Sequence, residues 1–130
     1  MKKINQRTIL IGGCLLAALS VMLGAFGAHA LKPLLMANNR METFELAVRY
    51  QFYHTFGILL LGALADRIKP NLARNAFMLF VLGILFFSGS LYHLSLTNQT
   101  NLVLVTPVGG LLFICGWLTL LIAFWRMPGN

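Results

Sequence analysis

The run RYQFYH brings Arg49, Tyr50, Gln51, Tyr53 and His54 together, and Glu42 and Glu45 stand just before it. A second polar group, Ser88, Ser90, Tyr92 and His93, lies in FSGSLYH, while His29 stands alone in GAFGAHALK. These residue types suit three kinds of chemistry. An arginine with carboxylates makes charged hydrogen bonds, tyrosine and serine hydroxyls extend them into networks, and histidines carry protons or ligate metals. The spacing excludes much of the rest. His29, His54 and His93 have no metal-ligand spacing such as H-x-x-x-H, and the chain shows no nucleophile elbow, phosphate-binding loop or paired catalytic carboxylates. No enzyme, metal or cofactor is expected on that basis.

The elements that must position these residues follow from composition. Of 130 residues, 58% are hydrophobic and 10% charged, too few charges for a surface in water. Neither Thr8 to Leu31 nor Asn75 to Trp125 contains Asp, Glu, Lys or Arg. A bilayer core of about 30 Å takes about 20 apolar helical residues, so the first run holds one span and the second two. The fold class is all-α, integral membrane. Net charge of +7 would suggest nucleic acid for a soluble protein, but the ten Lys and Arg mostly flank the apolar runs, and no nucleic-acid partner is expected. Cys14 and Cys115 lie inside apolar runs at different depths, which fits buried thiols rather than a disulfide.

Ala28, His29 and Ala30 spell a secretory cleavage pattern behind the basic start MKKINQR, and IGGC before Cys14 loosely resembles a lipoprotein signal. The apolar stretch from Ile9 to Ala28 is longer than the roughly 7–15 residues of a signal-peptide core, so retention as a membrane helix is expected. Gly13, Ala17, Ser20, Gly24 and Ala28 form a stripe of small residues along it, a surface for close helix packing.

Helix two is the unusual one. Its strictly apolar part, Phe56 to Ala65, is too short to cross, so a crossing helix must begin near Leu46 and draw Arg49, Tyr50, Gln51, Tyr53 and His54 to the membrane. The alternative is a re-entrant or surface helix. Expected spans are 8–31, 46–66, 75–97 and 106–125, the last capped by Thr106 with Pro107 at its first position. That gives an up-down-up-down four-helix bundle. Lys2, Lys3, Arg7, Arg67, Lys69, Arg74 and Arg126 then share one side against Lys32, Arg40 and Arg49 on the other, which puts both termini in the cytoplasm. The polar residues collect in the outer half. Glu45 and Arg49 have the favourable i, i+4 order for an ion pair, and Glu42 and Tyr53 share their face. Arg49 is expected to pair with Glu45 or Glu42 and to meet His29 or Tyr92 on neighbouring helices.

GAFGAHALK, AVRYQFYHTF, FSGSLYHLSL and TPVGGLLFICGW resemble, in order and spacing, the four signature blocks of a family of small bacterial membrane proteins, domain of unknown function 423, also called uncharacterised protein family 0382. The resemblance covers nearly the whole chain. It implies an uncleaved four-helix membrane protein and no biochemical activity; His93 stands where the family's pattern implies an apolar residue. Three functions are compatible with these readings. The first is a structural or interaction protein of the inner membrane, with the lipid bilayer and a membrane protein or a second copy as partners. The second is permeation of a small polar species past Arg49 and His54, and the third a histidine-based redox or metal role.

Overall fold

The structure, a computed structural model, describes residues 5–128. Lys2 and Lys3, counted above toward topology, lie outside the described residues. Helices α1 (Gln6–Ala28), α2 (Lys32–Ala37), α3 (Met41–Ala63), α4 (Pro70–Gly83), α5 (Gly89–Thr97) and α6 (Val105–Trp125) follow in order, with a π-helical segment, Ile84–Ser88, joining α4 to α5. No strand occurs among the described residues. Among the described residues, three helices are long and apolar enough to cross a membrane: α1, the continuous helix Pro70–Thr97, and α6. Helix α3 matches them in length but carries more polar residues.

The sequence explains where each helix starts and stops. Asn5 caps α1, its side-chain oxygen accepting from the Thr8 N–H at 2.8 Å. This helix ends at Ala28, short of the expected Leu31, because the chain turns through His29 and starts α2 with Pro33 in its first turn. Asn39 then takes a left-handed conformation, φ 54°, which ends that segment and feeds α3 five residues before Leu46. Asn98 does the same after α5, φ 56°. Thr106 is not a cap. Helix α6 begins one residue earlier with Leu104 as its flanking residue, since the Asn101–Leu104 turn leads directly into it and the Thr106 hydroxyl is engaged elsewhere. Pro107 still falls in the first turn, where its missing N–H costs nothing.

The long helices of the described residues pack as two antiparallel pairs, α1 with α3 and Pro70–Thr97 with α6. In the α1–α3 pair, the small buried residues Gly13, Ser20 and Gly27 recur every seven positions, and so do Phe44, Gln51 and Ile58 opposite them. A Cβ on Gly27 would lie 2.6 Å from the Phe44 ring, and one on Gly13 would lie 2.6 Å from Leu59 and 3.3 Å from Ile58. A seven-residue period is that of left-handed supercoiled packing. The expected stripe is therefore corrected. Gly13 and Ser20 are at the contact, Ala17 and Gly24 flank it, Ala28 is exposed, and Gly27 takes its place. Steps of four advance about 40° round the helix each time and drift off the seam, whereas steps of seven stay on it.

In the second pair, glycine and phenylalanine alternate across the interface. Gly83 faces Phe113, Gly116 faces Phe80, and Gly109 rests against the backbone of Phe87. The π segment lies at this last contact. One end of the molecule gathers the start of α1 with the turn after α3, since Asn5 and Gln6 share a cavity with Ala65, Asp66, Ile68 and Pro70. At the other end, Asn38 donates to the Ser95 carbonyl at 2.9 Å and Arg40 Nε to Asn98 Oδ1 at 2.9 Å. Helix α3 is the inner element, packed against α1, α4, the π segment and α5, while Leu15, Leu85, Leu111 and Leu121 on the apolar helices are exposed.

Candidate functional site

The 3.6-residue period divides the polar residues of α3 between two faces. Glu42, Glu45, Arg49, Tyr53 and Phe56 fall on the exposed face; Phe44, Ala47, Gln51, His54, Thr55 and Ile58 fall on the buried one. The expected Arg49 network is thereby overturned. Arg49 shares its face with Glu42, Glu45 and Tyr53, but that face is exposed, and among the described residues no ion pair or hydrogen bond joins Arg49 to either glutamate. Arg49 and Glu45 instead border a groove of about 210 Å³ lined also by Gly24, Gly27, Ala28 and Val48. His29 is exposed at the end of α1, bonded through its backbone alone: its N–H donates to the Ala25 and Phe26 carbonyls and its own carbonyl accepts from the Lys32 N–H.

The buried face carries the network, and Gln51 is its centre. Tyr92 Oη donates to Gln51 Oε1 at 2.9 Å, and Gln51 Nε2 donates to the Leu16 carbonyl at 3.4 Å, the same oxygen that accepts from Ser20 Oγ at 2.8 Å. Three helices, α5, α3 and α1, are thus joined through one side chain. The Tyr92 ring also packs on Phe44, centroids 5.1 Å apart. Ser88 Oγ donates to the Ala47 carbonyl at 2.7 Å, and Ser90 and Thr106 hydroxyls meet at 2.6 Å across α5 and α6. His93, rather than reaching the centre, bonds Asn101 Oδ1 through Nε2 at 2.9 Å near the chain turn. Among the described residues, no buried side-chain nitrogen or oxygen lacks a partner. In a bilayer that closure matters, since water cannot complete a missing bond.

His54 belongs to a separate, aromatic region. Its ring stacks on Phe113, centroids 3.4 Å apart and planes 7° off parallel, and Tyr50 stacks on Phe87 at 4.5 Å. His54 Nδ1 lies 2.6 Å from the Tyr50 carbonyl. A carbonyl can only accept, so the proton sits on Nδ1 and Nε2 presents a lone pair. Tyr50, His54, Phe87, Phe113 and Trp117 border a groove of about 570 Å³ between α3 and α6. Arg49 and His54 therefore line different cavities. Nor do three His, Cys, Asp or Glu residues converge as a metal site among the described residues.

Gln51, Thr55 and Ser95 are the buried polar residues that sequence reasoning placed least well. Gln51 could be drawn into the membrane by span length, but nothing local marks it as the centre, because its partners Tyr92 and Leu16 are remote in sequence. Thr55 and Ser95 each return a hydroxyl to the carbonyl four residues back, Gln51 and Leu91, so they need no partner outside their own helix.

The family described as protein of unknown function DUF423 matches residues 23–110, from the end of α1 into the first turns of α6. The UPF0382 membrane protein SH2409 of Staphylococcus haemolyticus is 43% identical over 124 residues, 95% of this chain and 100% of that protein. The UPF0382 membrane protein YwdK of Bacillus subtilis is 36% identical over 119 residues, 91% of this chain and 96% of its own. No solved structure matches.

Proposed function

Since the chain belongs to the DUF423 family, whose relatives are named only as membrane proteins, we propose that it is a structural or interaction protein of the cytoplasmic membrane, crossing it four times with both ends inside. The observation that carries this reading is the closed network around Gln51. Polar groups at membrane depth usually mark transport or proton paths, and these are committed to joining helices to one another. Helix α3 is the fourth span: its 23 residues measure about 35 Å. Its uncharged polar residues Gln51, His54 and Thr55 are covered by the neighbouring helices, and its charged ones, Glu42, Glu45 and Arg49, fall in its first three turns, within reach of the headgroups. The ends of the molecule fit this orientation. Arg7, Arg67 and Lys69 cluster with the α1 start and the α3–α4 turn, against Lys32 and Arg40 at the opposite end.

Such a protein acts through its outer surface, toward a membrane protein or a second copy of itself. Permeation past Arg49 and His54 has less support, since the two residues line separate grooves. Gentle-detergent purification after in-membrane crosslinking tests the proposal. A stoichiometric membrane partner or a defined oligomer supports it; a monomer that instead conducts ions or solutes in vesicles, with conductance lost in Arg49→Ala, contradicts it.

A further inference from the structure

The groove between α3 and α6 contains a polar atom that the closed network does not use. His54 is 6% exposed, its ring held by the Phe113 stack and by the Nδ1 bond to the Tyr50 carbonyl, yet Nε2 has no partner. Because no buried side-chain nitrogen or oxygen lacks a partner among the described residues, Nε2 must keep some open surface, and His54 lines this groove. Tyr50 borders the same space, and its hydroxyl is likewise without a hydrogen bond. An acceptor and a donor thus belong to rings 5.9 Å apart that border one aromatic groove.

We propose that this groove binds a membrane quinol or quinone. The occupant must dissolve in the bilayer, because exposed Leu111 and Ile114 flank the groove at membrane depth. Phe87, Phe113 and Trp117 offer ring faces and edges to a planar head. A quinol O–H donates to the His54 Nε2 lone pair, and a quinone carbonyl accepts from the Tyr50 hydroxyl, so both redox forms find a partner. About 570 Å³ holds such a head with the first part of its tail, within the range of small-molecule sites, and the open side lets the remaining tail run into lipid. An acyl chain would fill the same space without using either polar group. The inference goes beyond the structural reading and is independent of it, since the Gln51 network is untouched whether or not the groove is occupied.

The test uses the full-length chain in nanodiscs with Trp125→Phe, which leaves Trp117 at the groove as the one tryptophan, titrated with menaquinone-4 and, under anaerobic conditions, its reduced form. The expected result is saturable quenching of Trp117, with half-saturation by the reduced form raised about five- to tenfold in His54→Phe, which keeps the ring stack and removes the acceptor. Gly110→Phe, at a position where an added Cβ comes no nearer than 3.9 Å to other atoms, fills the groove while keeping the His54 side chain and should abolish saturation. Quenching that rises linearly with quinone in the bilayer, or a half-saturation unchanged in both variants, overturns the proposal.

Discussion

The two faces of α3 are alike in polarity and opposite in use. The outer face carries Glu42, Glu45, Arg49 and Tyr53, all exposed and with no hydrogen bond or ion pair between Arg49 and the glutamates. The inner face carries Gln51, Thr55 and His54, each buried and each hydrogen-bonded. Formal charge went outward and neutral amide, hydroxyl and imidazole went inward. The reason is desolvation: an unpaired charge among packed helices costs far more than an amide that can meet both a hydroxyl and a carbonyl. Charge on α3 therefore locates the surface, and uncharged hydrogen-bonding groups locate the contacts.

Substitutions can break this contrast, and the strongest act on the inner face. Gln51→Arg puts a charge where Tyr92 and the Leu16 carbonyl now meet, and should cost about 3 kcal/mol or more, read as a large fall in detergent melting temperature. A melt within a degree of wild type would show that the inner face tolerates charge. Gly27→Leu comes next. Its first carbon alone would press on the Phe44 ring, and overpacking of this kind costs about 1–3 kcal/mol, whereas Gly24→Ala, with its Cβ 3.5 Å from Val48, should be nearly neutral. Equal losses at both positions would place the seam on the four-residue stripe instead. Ser88→Ala removes the hydroxyl that bonds the Ala47 carbonyl and should lower stability by about 1 kcal/mol. The smallest effect belongs to the outer face. Arg49→Leu, alone or with Glu45→Gln, should change stability by no more than about 0.5 kcal/mol, with the two effects additive.

Much of the architecture was legible before the structure. The uncharged runs fixed the helical, membrane class, and the shortness of the apolar stretch after Phe56 pointed to a helix that begins upstream of it, as α3 does from Met41. Which face of α3 turns inward was not legible. Glu45 and Arg49 have the spacing of an ion pair, so a local rule pointed to the outer face, while the residues that select the inner one, Tyr92 and Leu16, lie on other helices. Likewise a four-residue stripe is easy to see along α1, but the seven-residue seam becomes visible only beside Phe44, Gln51 and Ile58. The π segment and its contact at Gly109 left no signal in spacing or composition.

The central claim is that Gln51 and Tyr92 tie α1, α3 and α5 together through one hydrogen-bonded side chain. A double-mutant cycle with Gln51→Leu and Tyr92→Phe, followed by reversible unfolding in mixed micelles, measures it directly. The account predicts a coupling of about 0.5–1.5 kcal/mol, with the double variant less destabilised than the sum of the singles, because removing both partners leaves no orphaned group. Strict additivity would contradict it and return the polar face of α3 to a set of independent contacts.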